Sequence, residues 1–126
     1  ELKDLIGYAK AEEISKVSLS LYEYAYNYAL DRGIIIADTK FEFGEIGNEI
    51  ILIDEIFTPD SSRFILKYDF DRGIVDKSLD KQFVRDYLLS IGWNKEPPPP
   101  SLPKEVIEET SKRYLQIYEI LTGNNL

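Results

Sequence analysis

The residues from Ile34 to Asp54 limit what this chain can fold into more than any other stretch. Two runs rich in β-branched and aromatic side chains, Ile34–Phe43 and Ile50–Ile53, flank Gly44-Glu45-Ile46-Gly47-Asn48-Glu49. Such side chains suit a pleated surface, and a Gly/Asn-containing break between two of these runs is turn chemistry. The pattern predicts a β-hairpin. Successive side chains of a strand point to opposite faces. Asp38, Lys40 and Glu42 would then share one face, and Ala37, Thr39, Phe41 and Phe43 the other. An acid, a base and an acid in line exceed what packing requires. An ammonium neutralises phosphate oxygens as a point charge, and carboxylates hold a hard cation such as Mg²⁺. The return run ends in Asp54-Glu55. Glu42 and Asp54 share a face if the numbers of paired residues total an even value, and a slip of one residue separates them. The sequence leaves that register open, and an ordinary hairpin with a wet polar face is the plainer alternative.

The remaining elements read as helices and connectors. Ile14, Val17, Leu21, Tyr24 and Tyr28 recur at helical spacing, which predicts a helix over Glu12–Arg32 packed through those residues and closed by Gly33. A loop is expected from Glu55 to Phe64, and irregular structure from Ile65 to Lys77. Ser78 is placed to cap a helix over Leu79–Ile91, packed through Phe83, Tyr87 and Leu88. Pro97 to Pro100 predict a stiff, extended polyproline connector. Pro103 then opens a last amphipathic helix with Val106, Ile107, Thr110, Tyr114, Ile117 and Leu121 inward, ended by Gly123. The class is α+β: an antiparallel β-hairpin of a larger sheet flanked by helices, because a two-stranded ribbon alone is marginal in water.

Composition narrows the chemistry. The chain has 126 residues, one domain's worth, with no cysteine and no histidine. That removes a disulfide framework, thiolate or imidazole zinc sites, and histidine acid–base catalysis within this chain. A net charge of −8 opposes a nucleic-acid partner, whose phosphates require a basic face. No apolar run approaches the ~20 residues of a membrane span, so a cytoplasmic location is expected.

Three segments carry a resemblance to a known family. Ile36-Ala37-Asp38-Thr39-Lys40-Phe41-Glu42-Phe43-Gly44 resembles the signature of the SAICAR synthetases (phosphoribosylaminoimidazole-succinocarboxamide synthases). Asp54-Glu55 followed by Thr58-Pro59-Asp60-Ser61-Ser62-Arg63-Phe64 is similar to a second block of that family, and Ser78 to Leu88 to a third. Ile65 departs from the aromatic residue usual after the second block. The resemblance extends from about Ala9 to Gly123. It implies that residues 1–126 form the C-terminal lobe of a two-lobed ATP-binding fold. The N-terminal lobe, with its Gly-rich loop over ATP, is absent from this sequence, which also lacks methionine.

The activity implied is ligation of L-aspartate to 5-aminoimidazole-4-carboxyribotide (CAIR) with ATP, giving SAICAR, ADP and phosphate in purine biosynthesis. Carried over residue by residue, Glu42 and Asp54 would ligate Mg²⁺ on the ATP phosphates. Lys40 would meet the transferring phosphate or the substrate carboxylate. Asp60, Ser61, Ser62 and Arg63 would bind substrate, with Arg63 gripping a carboxylate by its two-pronged guanidinium. Asp38 would orient Lys40 or the loop. The implied partners are small molecules, the N-terminal lobe and, as an open matter, a second copy of the chain. The chain by itself is expected to be inactive. Two alternatives stand beside this reading: a related ATP-dependent ligase or phosphotransferase with another substrate, and a non-catalytic acidic module whose hairpin pairs with a partner sheet.

Overall fold

A computed structural model describes residues 1–125 of the chain. A short helix α1 (Leu2–Ile6) precedes the long α2 (Tyr8–Leu30). Four strands follow, β1 (Ile34–Thr39), β2 (Glu42–Ile46), β3 (Glu49–Ile53) and β4 (Ser62–Leu66). Helices α3 (Lys67–Asp71), α4 (Gln82–Ser90) and α5 (Lys104–Thr122) complete the described chain. The α+β class expected from the sequence holds.

The strand pairing differs from the single hairpin expected over Ile34–Asp54. β1 pairs antiparallel with β4, while β2 pairs antiparallel with β3 as a separate ribbon. The strand expected from Ile34 to Phe43 breaks at Lys40-Phe41. Burial explains the split. Ile34, Ile35 and Ile36 are all buried, which is the continuous apolar signature of a strand covered on both faces. Lys40 and Glu42 are exposed and belong to a different surface. β4 arises inside the stretch expected to be a loop, because Phe64 and Ile65 are needed in the core.

That core gathers Ile34, Ile36 and Phe64 of the β1–β4 sheet with Ala29 of α2, Leu79 and Ile117 of α5. Phe64 is fully buried, and removing a side chain of this size from water stabilises by roughly 1.5–3 kcal/mol. α2 turns inward through Ala11, Ile14, Leu21, Ala25 and Ala29, whereas Val17, Tyr24 and Tyr28 of the expected face are exposed. Small alanines let the helix approach the sheet closely, and the Tyr28 hydroxyl reaches the end of α5, donating to Leu121 O (2.8 Å). Gly33, at φ 79°, takes a backbone conformation unfavourable to other residues and swings the chain from α2 straight into β1.

The last segments need smaller corrections. α4 starts at Gln82 rather than Leu79: Asp80, not Ser78, accepts the Gln82 N–H (2.8 Å). Ser78 instead donates its hydroxyl to Asp80 (2.8 Å) and bridges to Ile65 beside β4. The proline connector bends at Lys95, Pro97 and Pro98, so it is no continuous polyproline helix. In α5, Ile117 is buried as expected, but Ile107 is 54% exposed. Gly123 closes α5 in the left-handed conformation.

Candidate active site

A cleft of about 490 Å³ opens where β1, the loop before β4 and the start of α4 converge. Asp38, Lys40, Asp60 and Arg63 line it, joined by Asp80, Lys81 and Arg85 from the third resembling segment. Residues far apart in sequence meet here because Ser78 and Leu79 are tied to β4. The Leu79 N–H donates to Phe64 O (2.7 Å), and the Lys81 N–H to Pro59 O (3.3 Å).

Arg63 is placed by a bulge. Pairing runs Ile36 with Phe64 and then Asp38 with Arg63, leaving Ala37 without a partner. The extra residue brings Asp38 opposite Arg63 on one face of the sheet. The Arg63 Nε lies 2.9 Å from Asp38 Oδ1 and 3.0 Å from Oδ2, and its Nη2 also bonds Oδ2. Asp38 therefore orients Arg63, not Lys40, and occupies the Nε–Nη2 edge of the guanidinium. The hydrogen bond from Arg63 holds the Asp38 carboxyl below its usual range, and Asp38 in turn pushes Arg63 up.

The Thr58–Ser62 turn is wired internally. Ser62 N–H donates to Thr58 O (2.9 Å), and the Thr58 N–H to Ser61 Oγ (3.1 Å). Ser62 Oγ lies 2.7 Å from Thr39 Oγ1. Ser61 and Ser62 are both buried, so the two hydroxyls expected to bind substrate first hold the turn in shape. Asp60 stays exposed and pairs with Lys81 (3.0 Å), linking the turn to α4.

The carboxylate pair stands at the edge of this cleft, with Lys40 as the junction. Lys40 Nζ lies 2.5 Å from Glu42 Oε1 and 4.0 Å from Asp54 Oδ2. Glu42 pairs with Ile53, so the paired numbers total an odd value, and strict alternation would send Asp54 to the opposite face. Asp54 escapes that outcome by leaving the strand in the left-handed conformation (φ 66°), which returns its carboxylate toward Lys40. Glu42 beside it raises Lys40 above the ordinary lysine range. Each adjacent carboxyl shifts the other: Asp54 lies below the usual carboxylate range and Glu55 above it.

The Lys40 ammonium lies within 4.0 Å of both Glu42 and Asp54, so the two carboxylates face a common point. Two carboxylates also match Mg²⁺, which takes one or two from protein and fills its octahedron with water and phosphate oxygens. Among the described residues no group of three or more His, Cys, Asp or Glu side chains forms a self-sufficient metal cage. The residues fit a cation shared with a phosphate ligand better than one held by protein alone.

Sequence reasoning assigned no role to Asp80, Lys81 or Arg85. Their signal was the third resembling segment, read only as a helix. Lys81 and Arg85 lie four residues apart, one helical turn, and so point the same way.

The fold and site define an α+β unit carrying a charged cleft bordered by paired carboxylates. Residues 2–100 match the family model of SAICAR synthetase, and the chain belongs to that family. It is 49% identical over 122 residues to the phosphoribosylaminoimidazole-succinocarboxamide synthase of Desulfotalea psychrophila, covering 97% of this chain and 41% of that protein. To the enzyme of the same name from Methylobacillus flagellatus it is 53% identical over 120 residues, with 94% and 40% covered. The chain thus spans well under half the length of these curated relatives. Among solved structures, SAICAR-synthase from Saccharomyces cerevisiae complexed with SAICAR superposes with a TM-score of 0.79 at 37% identity, over 98% of this chain and 42% of that one. A SAICAR synthetase in complex with ADP gives 0.68 at 27% identity, over 96% and 41%.

Proposed function

We propose that this chain is the C-terminal lobe of an enzyme that ligates L-aspartate to CAIR with ATP, forming SAICAR, ADP and phosphate. The observation that carries the reading is the position of Lys40. It lines the substrate cleft with Arg63 and also touches both carboxylates of the cation pair. A phosphate approaching Lys40 therefore stands next to Glu42 and Asp54 on one side and to the cleft on the other. The family's relatives bear the name of this activity, and one solved neighbour holds ADP.

A carboxylate is a poor electrophile, which fixes the order of events. An oxygen of the CAIR carboxylate attacks the γ-phosphorus of ATP, the bond to the bridging oxygen breaks, and ADP leaves. The aspartate amine then attacks the acyl carbon, phosphate departs with the electron pair, and the amine loses its proton. Phosphoryl transfer depends on positioning and charge neutralisation, so a site without histidine is adequate. Lys40 neutralises the transferring phosphoryl oxygens. Glu42 and Asp54 would hold Mg²⁺, which supplies further charge neutralisation on the ATP phosphates. Arg63, held on one edge by Asp38, offers its Nη1 end to a substrate carboxylate. Lys81 and Arg85 add positive charge for an anionic ribotide, with Asp60 fixing Lys81.

Substituting the carboxylate pair tests this assignment. Glu42→Gln and Asp54→Asn, made in the enzyme at the full length of its relatives, keep side-chain shape and remove charge. Each should strongly reduce Mg²⁺-dependent turnover at limiting metal while leaving the melting temperature nearly unchanged. Wild-type turnover at low Mg²⁺ in either variant would remove the pair from the site.

A further inference from the structure

The two proposed cation ligands sit on an element distinct from the one that carries the substrate side chains. Glu42 is the first residue of β2, and Asp54 follows the last residue of β3. Arg63, Asp60 and Lys81 belong to β4 and its neighbouring loops on the main body. The β2–β3 ribbon hydrogen-bonds to no other strand among the described residues. Its orientation must therefore be set at the two points where the chain crosses from body to ribbon.

Both crossings are unusual, and they meet at two rings. On the way out, β1 ends at Thr39 and β2 begins at Glu42, with Phe41 between. On the way back, Asp54 and Phe57 both adopt positive φ, 66° and 54°, a conformation rare for residues other than glycine. The rings of Phe41 and Phe57 meet edge to face, with centroids 5.3 Å apart and an interplanar angle of 82°. Phe57 also packs against the main core, so this contact ties the outgoing crossing to the body. Phe43 extends the contact into the ribbon, its ring 6.4 Å from that of Phe41. Among the described residues, the other end of the ribbon has a single ion pair, Lys10 to Glu45 (2.6 Å), which water and salt screen.

We propose that Phe57, through its edge-to-face contact with Phe41, is a positioning residue that sets the angle of the β2–β3 ribbon. It thereby places Glu42 and Asp54 relative to Lys40 and the substrate cleft. The unfavourable backbone at Phe57 is what turns the ring toward Phe41, and the ring pair in turn keeps the backbone there. The contact touches neither substrate nor cation. Its role is geometric, and because small displacements of positioned groups cost rate, it should show in metal use before it shows in substrate binding. This inference rests on the assignment of Glu42 and Asp54 as cation ligands, and the test separates the two.

The variants are Phe57→Leu and Phe41→Leu, each apolar but without a ring edge or face to offer, with Phe57→Tyr as the ring-retaining control. All are made in the enzyme at the full length of its relatives. Hydrogen exchange of the amides of residues 43–53, measured without metal or nucleotide, reads the ribbon directly. Both leucine variants should speed that exchange about two- to tenfold while β1 and β4 amides stay protected, and Phe57→Tyr should restore it. In the same variants the Mg²⁺ concentration for half-maximal turnover should rise by a similar factor, with KM for CAIR and aspartate held within about twofold. Should Phe57→Leu melt too low to use, Phe41→Leu carries the same test from the crossing outside the core. Unchanged ribbon exchange in Phe41→Leu overturns the proposal. Faster exchange with an unmoved Mg²⁺ midpoint supports the ring contact as the ribbon's anchor and overturns the cation assignment of Glu42 and Asp54.

Discussion

Without the bulge at Ala37, Arg63 would stand opposite an alanine. One unpaired residue gives the guanidinium its carboxylate, and nothing in Ile36-Ala37-Asp38 announces it. Alternation placed Asp38 on the correct surface, but its partner lies 25 residues away and depends on a register the sequence does not encode locally. The pair has a consequence for acid stability. Arg63 depresses the Asp38 carboxyl in the folded protein. A depressed folded value means the contribution is complete above the ordinary carboxylate pKa of ~3.9 and is lost as pH falls through the folded value. Asp38→Asn should therefore lower stability at neutral pH by only about 0–1 kcal/mol, since the pair is half exposed. The variant's loss of stability on acidification should be correspondingly shallower below pH ~4. Denaturant midpoints from pH 7 to pH 3 check this. Parallel curves for variant and wild type would show that the pair contributes nothing. Lys40 was legible for a sturdier reason. An exposed lysine between two acids keeps its neighbours whichever strand pairing forms, so its contact with Glu42 survived a first strand drawn too long.

Elements were legible where the chain's own periodicity decides them, and misread where a partner decides. α5 runs from Lys104 to Thr122 as expected, because Pro103 and Gly123 mark its ends chemically. The start of α4 was misplaced by a competition between two cappers. Ser78 and Asp80 can each accept a helix N–H, and only the folded contacts decide: the Ser78 hydroxyl turns to Asp80, and Asp80 takes the Gln82 N–H. The buried face of α2 was misread for a related reason: Ala25, Ala29, Tyr22 and Tyr26 pack on the core, whereas Tyr24 and Tyr28, which fit the apolar spacing, stay exposed. Asp80 is the residue on which the element and the site depend together. It is 2% exposed and accepts from both Ser78 Oγ and the Gln82 N–H. Asp80→Ala leaves one buried and one part-buried donor without a partner and should destabilise by roughly 1–3 kcal/mol. Asp80→Asn keeps an acceptor oxygen and should lose less. Urea midpoints rank the two, and equal midpoints for alanine and wild type would show that the cap does not hold α4 in place. Because Lys81 and Arg85 ride on this first turn, the alanine variant should also loosen the cationic wall of the cleft.

At the scale of the whole molecule, the described residues hold two sheets of unequal standing. β1–β4 is buried beneath α2 and α5, while the β2–β3 ribbon leaves Ile46, Leu52 and Ile53 exposed at 69%, 37% and 40%. A two-stranded ribbon is marginal in water by itself. That agrees with a lobe whose relatives are more than twice its length. The distribution of the site says the same. The side chains proposed to bind substrate rest on the well-packed sheet, the proposed cation pair sits on the ribbon, and the described cleft carries no Gly-rich loop to cradle a nucleotide. These 126 residues should therefore bind ATP far more weakly than the enzyme at the full length of its relatives. A ligand stabilises the folded state by RT ln(1 + [L]/Kd), about 2.7 kcal/mol at a hundredfold excess over Kd. Mg²⁺ and ATP should raise the melting temperature of the full-length enzyme by several degrees at such an excess. The same concentrations should move that of the 126-residue chain by under about a degree, because [L]/Kd stays far below one. CAIR-dependent ATP hydrolysis should be undetectable in the short chain and present in the long one. A multi-degree shift of the 126-residue chain with ATP would place the nucleotide site on the residues described here and overturn the two-lobe proposal.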